Sequence, residues 1–171
     1  MSSWLLAARI KTLPAAISPV LLGTALSFHD GFFNILIFLM TIFAAILIQV
    51  GTNFANDLFD FQKGADREGR LGPPRVIQLG LISKYKMKIA IIFIFSCSII
   101  IGTYLVSVGG WPILLIGILS IISGIAYTGG PYPLAYHGLG DIFVFIFFGI
   151  IAVSGTYYLQ VGSITFLSII M

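Results

Sequence analysis

Charge is scarce in this chain. Only 9% of its 171 residues are charged, where a soluble domain carries about 25%. Hydrophobic residues make up 58%, and so few polar side chains cannot cover that much apolar surface in water. A water-exposed globule is therefore excluded. Cysteine is nearly absent as well. Cys97 is the one thiol, so no intrachain disulfide can form, and inside an apolar run it reads as a small packing residue. Zinc-type Cys/His spacings, a glycine-rich nucleotide loop and a nucleophile–His–acid pattern are all missing. The net charge of +3 does not imply a nucleic-acid partner here, because the placement of the cations matters more than their sum.

Long apolar runs are what the chain does have. A spanning helix needs about 20 mostly apolar residues. On that ruler the chain is predicted to be an all-α, multi-span transmembrane helix bundle with five spans and part of a sixth. They fall at about 13–28, 32–53, 87–108, 111–127, 142–159 and 164–171, the last cut short. Arg9 and Lys11 before the first run have the order of a signal peptide. Pro14, Pro19 and the further apolar runs instead favour a retained first helix.

If the spans alternate, the N-terminus, the 56–84 loop and the 128–140 loop share one side. All nine cations lie there: Arg9, Lys11, Lys63, Arg67, Arg70, Arg75, Lys84, Lys86 and Lys88. Short cytoplasmic loops are enriched in Lys and Arg. The expectation is a multi-pass protein of the lipid bilayer, in a bacterial inner membrane, with the N-terminus and the 56–84 loop cytoplasmic.

The second span ends in a polar stripe. Asn53, Asn56, Asp57 and Asp60 fall at i, i+3, i+4 and i+7, one face of an α-helix. Asp66 and Glu68 follow, so four of the six acids lie between 57 and 68, with Lys63, Arg67, Arg70 and Arg75 around them. Mg2+ takes hard oxygen ligands and often binds through one or two carboxylates plus substrate phosphates, and nearby cations can hold the remaining phosphate oxygens. The stripe therefore suits a diphosphate–magnesium site at the water boundary. The plainer reading is a solvated loop beside a helix end.

A second polar feature lies on the same side. The loop from Tyr127 to Asp141 holds Pro131 and Pro133, four glycines, Tyr132, Tyr136 and His137, and its Gly/Pro content defines a particular backbone path. Its rings and polar tips could receive an acceptor, although Tyr also collects at membrane boundaries. His137 could be simply interfacial. Asp141 is placed to cap the fifth span.

Asn56-Asp57-Leu58-Phe59-Asp60, followed by Lys63-Gly64-Ala65-Asp66, resembles the first aspartate-rich motif of the UbiA-type intramembrane prenyltransferases. Arg9-Ile10-Lys11-Thr12-Leu13-Pro14, the segment Leu71 to Gly80, the loop from Ala126 to Leu134 and the segment Gly138 to Gly149 resemble the branch that makes menaquinone, the 1,4-dihydroxy-2-naphthoate polyprenyltransferases. The resemblance covers nearly the whole chain. It implies about nine spans around a central cavity, a polyprenyl diphosphate donor, an aromatic acceptor that loses CO2, and Mg2+. By that likeness Asn56, Asp60 and Asp66 are the metal positions, and Asp57, Asp60 and Asp66 the catalytic acids. Asn53, Asn56, Lys63, Arg67, Arg75 and Gln78 would meet the diphosphate. Tyr127, Tyr132, Tyr136, His137 and Asp141 would meet the acceptor. The gap from Asp60 to Asp66 exceeds the family's commonest spacing but suits the naphthoate branch.

Family members carry a second aspartate-rich motif between their sixth and seventh spans, and beyond Asp141 this chain has no acid. The expectation is an N-terminal part of such an enzyme, inactive alone. Two rivals remain. One is a non-enzymatic transporter subunit or partner-binding fragment. Transporters place polar groups near the bilayer midplane, whereas this stripe sits at a boundary. The other is the same chemistry on a different acceptor, 4-hydroxybenzoate or homogentisate.

Overall fold

A computed structural model describes residues 2–64 and 75–171. All regular structure among the described residues is helical. A short α1 (Ser3–Ala8) leads through a 3-10 turn (Ile10–Thr12) into α2 (Leu13–His29). Then come α3 (Ile35–Gln62), α4 (Lys84–Gly109) and α5 (Trp111–Ala126). A second 3-10 turn (Leu134–His137) precedes a continuous helix, Gly140–Val161. That helix is built of α6 (Gly140–Val144), a π-helical stretch (Phe145–Ile151) and α7 (Ala152–Val161), and α8 (Phe166–Ile170) follows.

Four helical stretches are long and apolar enough to cross a membrane: Ser3–His29, Ile35–Gln62, Lys84–Gly109 and Gly140–Val161. The fourth expected span, α5, has 16 residues, just below the usual range. In hydrocarbon each backbone polar group must be paired internally, which is why such runs become helices. Their ends carry local signals. Asn34 caps α3 by accepting from the N–H groups of Leu36 and Ile37, at 3.0 and 3.2 Å, as a short polar side chain at the N-cap does. Pro14 lies in the first turn of α2, where no N–H is needed. Gly162 ends α7 in the left-handed region, the usual glycine stop.

Hydropathy placed the end of the second span near residue 53, but the helix runs on to Gln62. The hydrogen-bond ladder therefore outlasts the apolar stretch, and the whole polar stripe is helical.

α3 is the central element, packing on α2, α4 and α5. α2 and α7 approach closely at Gly23, where a Cβ would lie 2.5 Å from the Val153 carbonyl oxygen. Two apolar clusters brace the bundle. One, at the C-terminal end of α3, joins Ala7, Phe54, Leu58, Val76, Ile77, Ile82 and Met87. The other, at the opposite end, joins Ile37, Ala44, Leu105, Ile113 and Leu159. Between them lies a cavity of about 790 Å³, walled by α2, α3, α4, α5 and the Gly140–Val161 helix.

Candidate functional site at the polar head of the cavity

The stripe on α3 is buried: Asn53, Asn56, Asp57 and Asp60 are each 6% exposed or less. A helix turns about 100° per residue, so the four fall on two rails roughly 60° apart. Asn53 and Asp57 form one rail, and Asn56 and Asp60 the other. The two rails find different partners.

On the first rail, Asn53 Nδ2 donates to the Ala8 carbonyl (2.8 Å) and to Thr12 Oγ1 (2.9 Å). Thr12 Oγ1 donates to the Arg9 carbonyl and also accepts from Gln49 Nε2. Asn53 thus ties α3 to the N-terminal segment. Asp57, 1% exposed, accepts from the backbone N–H groups of Val76 (3.0 Å) and Ile77 (3.4 Å). Its carboxylate pins the chain just ahead of α4. Among its described contacts it serves backbone rather than the cavity.

On the second rail, Asn56 lines the cavity and its Oδ1 accepts from Thr128 Oγ1 at 2.8 Å. Asp60 meets Arg75, whose Nη2 donates to Oδ2, and Tyr136, whose hydroxyl donates to Oδ1 at 2.5 Å. Asp60 and Arg75 are 3% and 4% exposed. An isolated charge this deep would be costly, and the opposite charge with its hydrogen bonds offsets that cost. Lys63 Nζ donates to the carbonyls of Thr128 (2.9 Å) and Gly130 (3.0 Å) and stands 5.4 Å from the centre of the Tyr136 ring. The two polar segments singled out in the sequence, the α3 end and the 128–136 loop, therefore meet.

Other expected residues lie elsewhere. Tyr127 lines the cavity. Tyr132 stacks on His137 with ring centres 3.5 Å apart. His137 Nδ1 donates a hydrogen bond to the Pro133 carbonyl at 2.8 Å, so both rings brace their own loop. Gln78 is exposed, outside the cavity. Asp141 does not cap the helix: Leu139 holds that position and Asp141 sits in the first turn, where a negative charge still suits the positive end of the helix. Asp66 and Arg67 lie outside the described residues.

Sequence reasoning passed over several residues here. Thr128 and Thr12 are the partners of Asn56 and Asn53. Gln49, four residues before Asn53, continues the first rail into the cavity, and its spacing could have revealed it. Arg9 was read as a topological cation and as part of a family-like N-terminal segment, not as a site residue, yet it lines the cavity. It is also the one non-glycine among the described residues with positive φ, 50°, a left-handed conformation that costs about 1 kcal/mol and ends α1.

The donor chemistry fits a hard divalent ion. Asn56 offers an amide oxygen at the head of the apolar chamber, and Asp60 offers a carboxylate one turn further along α3, bonded to Arg75 and Tyr136. Among the described residues no group of three or more His, Cys, Asp or Glu converges on one point, so any metal here would take further ligands from elsewhere.

A membrane-type helix bundle with a polar-headed apolar cavity is the class that fold and site define. Residues 16–171 match the UbiA prenyltransferase family, and the chain belongs to that family. It is 41% identical to the 1,4-dihydroxy-2-naphthoate octaprenyltransferase of Haemophilus influenzae, over 96% of this chain and 56% of that protein. To the protein of the same name in Escherichia coli it is 42% identical, over 92% and 53%. To UbiA prenyltransferase domain-containing protein 1 of Danio rerio it is 30% identical, over 99% and 51%. The chain spans about half the length of the curated relatives it matches.

Proposed function

We propose that the protein containing this chain transfers a polyprenyl group from polyprenyl diphosphate to 1,4-dihydroxy-2-naphthoate in the membrane, with loss of CO2, as a step of menaquinone synthesis. The observation that carries this reading is Asn56 at the polar head of an apolar cavity, with the buried Asp60 one helical turn beyond it on α3. The chain's family and the names of its relatives supply the substrate class. The cavity runs along α3 from Asn56 to Thr41, about 22 Å of helix, and suits a hydrocarbon tail below a charged head. The Lys and Arg residues of the N-terminal segment and of residues 56–84 support a cytoplasmic side for both, in a bacterial inner membrane.

Asn56 and Asp60, with Asp66, would hold Mg2+ against the diphosphate, since such ions bind through few carboxylates plus substrate phosphates. Bound there, the ion would neutralise charge growing on the leaving group. Arg75 and Arg9 would hold phosphate oxygens, and Arg67, outside the described residues, is assigned the same role. Asp57, Asn53 and Lys63 position the surrounding segments. The C1–O bond of the donor breaks and its electron pair leaves with the diphosphate. The carboxylate-bearing carbon of the acceptor supplies the pair for the new bond to C1. The bond to the carboxylate then breaks, its pair restores the aromatic ring, and CO2 departs.

The test uses the full-length protein in membranes with a polyprenyl diphosphate and naphthoate labelled in its carboxyl carbon. Mg2+-dependent release of labelled CO2 together with a prenylated naphthalene product is expected. Transfer to 4-hydroxybenzoate in place of the naphthoate would reassign the acceptor. Transfer to neither would defeat the enzymatic reading.

A further inference from the structure

We propose that the stacked rings of Phe143 and Phe147 face the reacting end of the prenyl chain and stabilise the positive charge that develops there, an inference that rests on the transfer reading above. The two rings are 6.1 Å apart between centres and inclined by 11°, and both line the cavity. Their depth follows from the chain around them. A Cβ built at Gly140 would lie 2.9 Å from the Tyr127 hydroxyl oxygen, and the neighbouring Thr128 is bonded to Asn56. Gly140 is thus level with the polar head. At 1.5 Å per residue Phe143 lies about 5 Å and Phe147 about 10 Å further along the helix. That is the depth of the first carbons of a chain whose diphosphate is held at Asn56 and Asp60.

The π-helical stretch Phe145–Ile151 presents this wall. Its i→i+5 bonding lets residues four and five apart share a face, and Phe143, Phe147, Phe148 and Ala152 all line the cavity. In a plain α-helix residues five apart diverge by about 140°. Single π turns of this kind recur at functional sites.

The chemistry needs such a wall. Heterolysis of the C1–O bond sends its electron pair to the diphosphate and leaves positive charge shared between C1 and C3. No Asp or Glu is among the described residues lining the cavity, so no carboxylate stands ready to capture the cation. A ring face attracts a cation through its quadrupole and forms no bond, leaving C1 open to the acceptor carbon.

The full-length enzyme is tested with fluorinated phenylalanines of rising fluorine content installed at 143 or 147, alongside Phe147→Leu. Fluorine withdraws ring electron density at nearly constant shape. A stepwise fall in kcat with fluorination is expected, reaching roughly 3- to 30-fold, with KM for the diphosphate unchanged and Phe147→Leu at the low end of the series. A flat kcat across both series, with Phe147→Leu raising only KM, would overturn the inference and make the rings mere packing for the tail. Wild-type enzyme is run beside them. An inactive wild type would defeat the transfer reading and this inference together, whereas an active wild type with a flat series defeats this inference alone.

Discussion

Two carboxylates at opposite ends of the bundle have nearly the same partners. Asp30, just past α2, accepts from the Tyr157 hydroxyl at 2.6 Å and lies 3.0 Å from His29 Nδ1. Asp60, near the end of α3, accepts from the Tyr136 hydroxyl at 2.5 Å and from Arg75. Each has one tyrosine and one basic side chain. Their surroundings differ: the Asp60 side chain is 4% exposed and that of Asp30 34%, with His29 at 82%. In water the Asp30 cluster is a weak tie between helices. Removed from water, the same set of groups becomes a charge that must always be matched, because an unmatched buried charge costs several kcal/mol. Burial therefore makes Asp60 a place where an arriving cation or a departing Arg75 has a large effect.

The largest expected break in the comparison is at Asp60. Asp60→Ala in the full-length protein is expected to abolish Mg2+-dependent prenyl transfer while the protein still inserts in membranes. It also removes the carboxylate bonded to the buried Arg75, so a loss of stability belongs to it as well. Asp60→Asn keeps the shape of the side chain and loses the charge, and a Tm measured beside kcat shows how much of its effect is stability. Full activity in Asp60→Asn would remove the carboxylate from the mechanism. The corresponding change at Asp30 leaves transfer intact.

A smaller effect is expected at Asp57, as buried as Asp60 but bonded to backbone. Asp57→Ala leaves the N–H groups of Val76 and Ile77 without their acceptor inside an apolar cluster. The expected cost is about 1–3 kcal/mol, read as a lower Tm and as earlier protease cutting between α3 and α4. KM for the diphosphate should rise modestly, because Arg75 precedes the pinned backbone. A kcat collapse equal to that of Asp60→Ala, at unchanged Tm, would give Asp57 a chemical role instead.

How far this was legible in the sequence varies with the physics. Lipid as a solvent writes a strong, long signal, so the all-helical bundle could be read from runs such as Met87 to Val108. The stripe was legible too, because Asn53 to Asp60 keeps helical spacing. Hydropathy marks where lipid gives way to water, not where a hydrogen-bond ladder stops, and it ended α3 nine residues early. Nor could spacing show that Asn53 and Asp57 serve one set of partners while Asn56 and Asp60 serve another. That division depends on which loops pack against each rail, and Arg75 and Tyr136 reach Asp60 from 15 and 76 residues away. The π-helical stretch has no sequence rule behind it, and the cavity role of Arg9 is set by a left-handed turn that its own side chain does not favour.

The smallest expected effect completes the comparison at Asp30. The Tyr157 hydroxyl, and after it His29, hold the Asp30 carboxyl below its ordinary value of 3.8. A carboxylate depressed in the folded state contributes stability that is present above its unfolded pKa and is lost as pH falls through its folded pKa. The Asp30–Tyr157 bond therefore loses its contribution only as the pH falls below about 4. Asp30→Asn is expected to lower Tm slightly at pH 7, by an amount that shrinks to nothing as pH drops below that range, with prenyl transfer unchanged. Because the group is exposed, raising the salt should erode the part of the difference due to His29. A Tm difference that instead grew on acidification would mean that the Asp30 charge opposes folding, and the likeness between the two carboxylates would end at their list of neighbours.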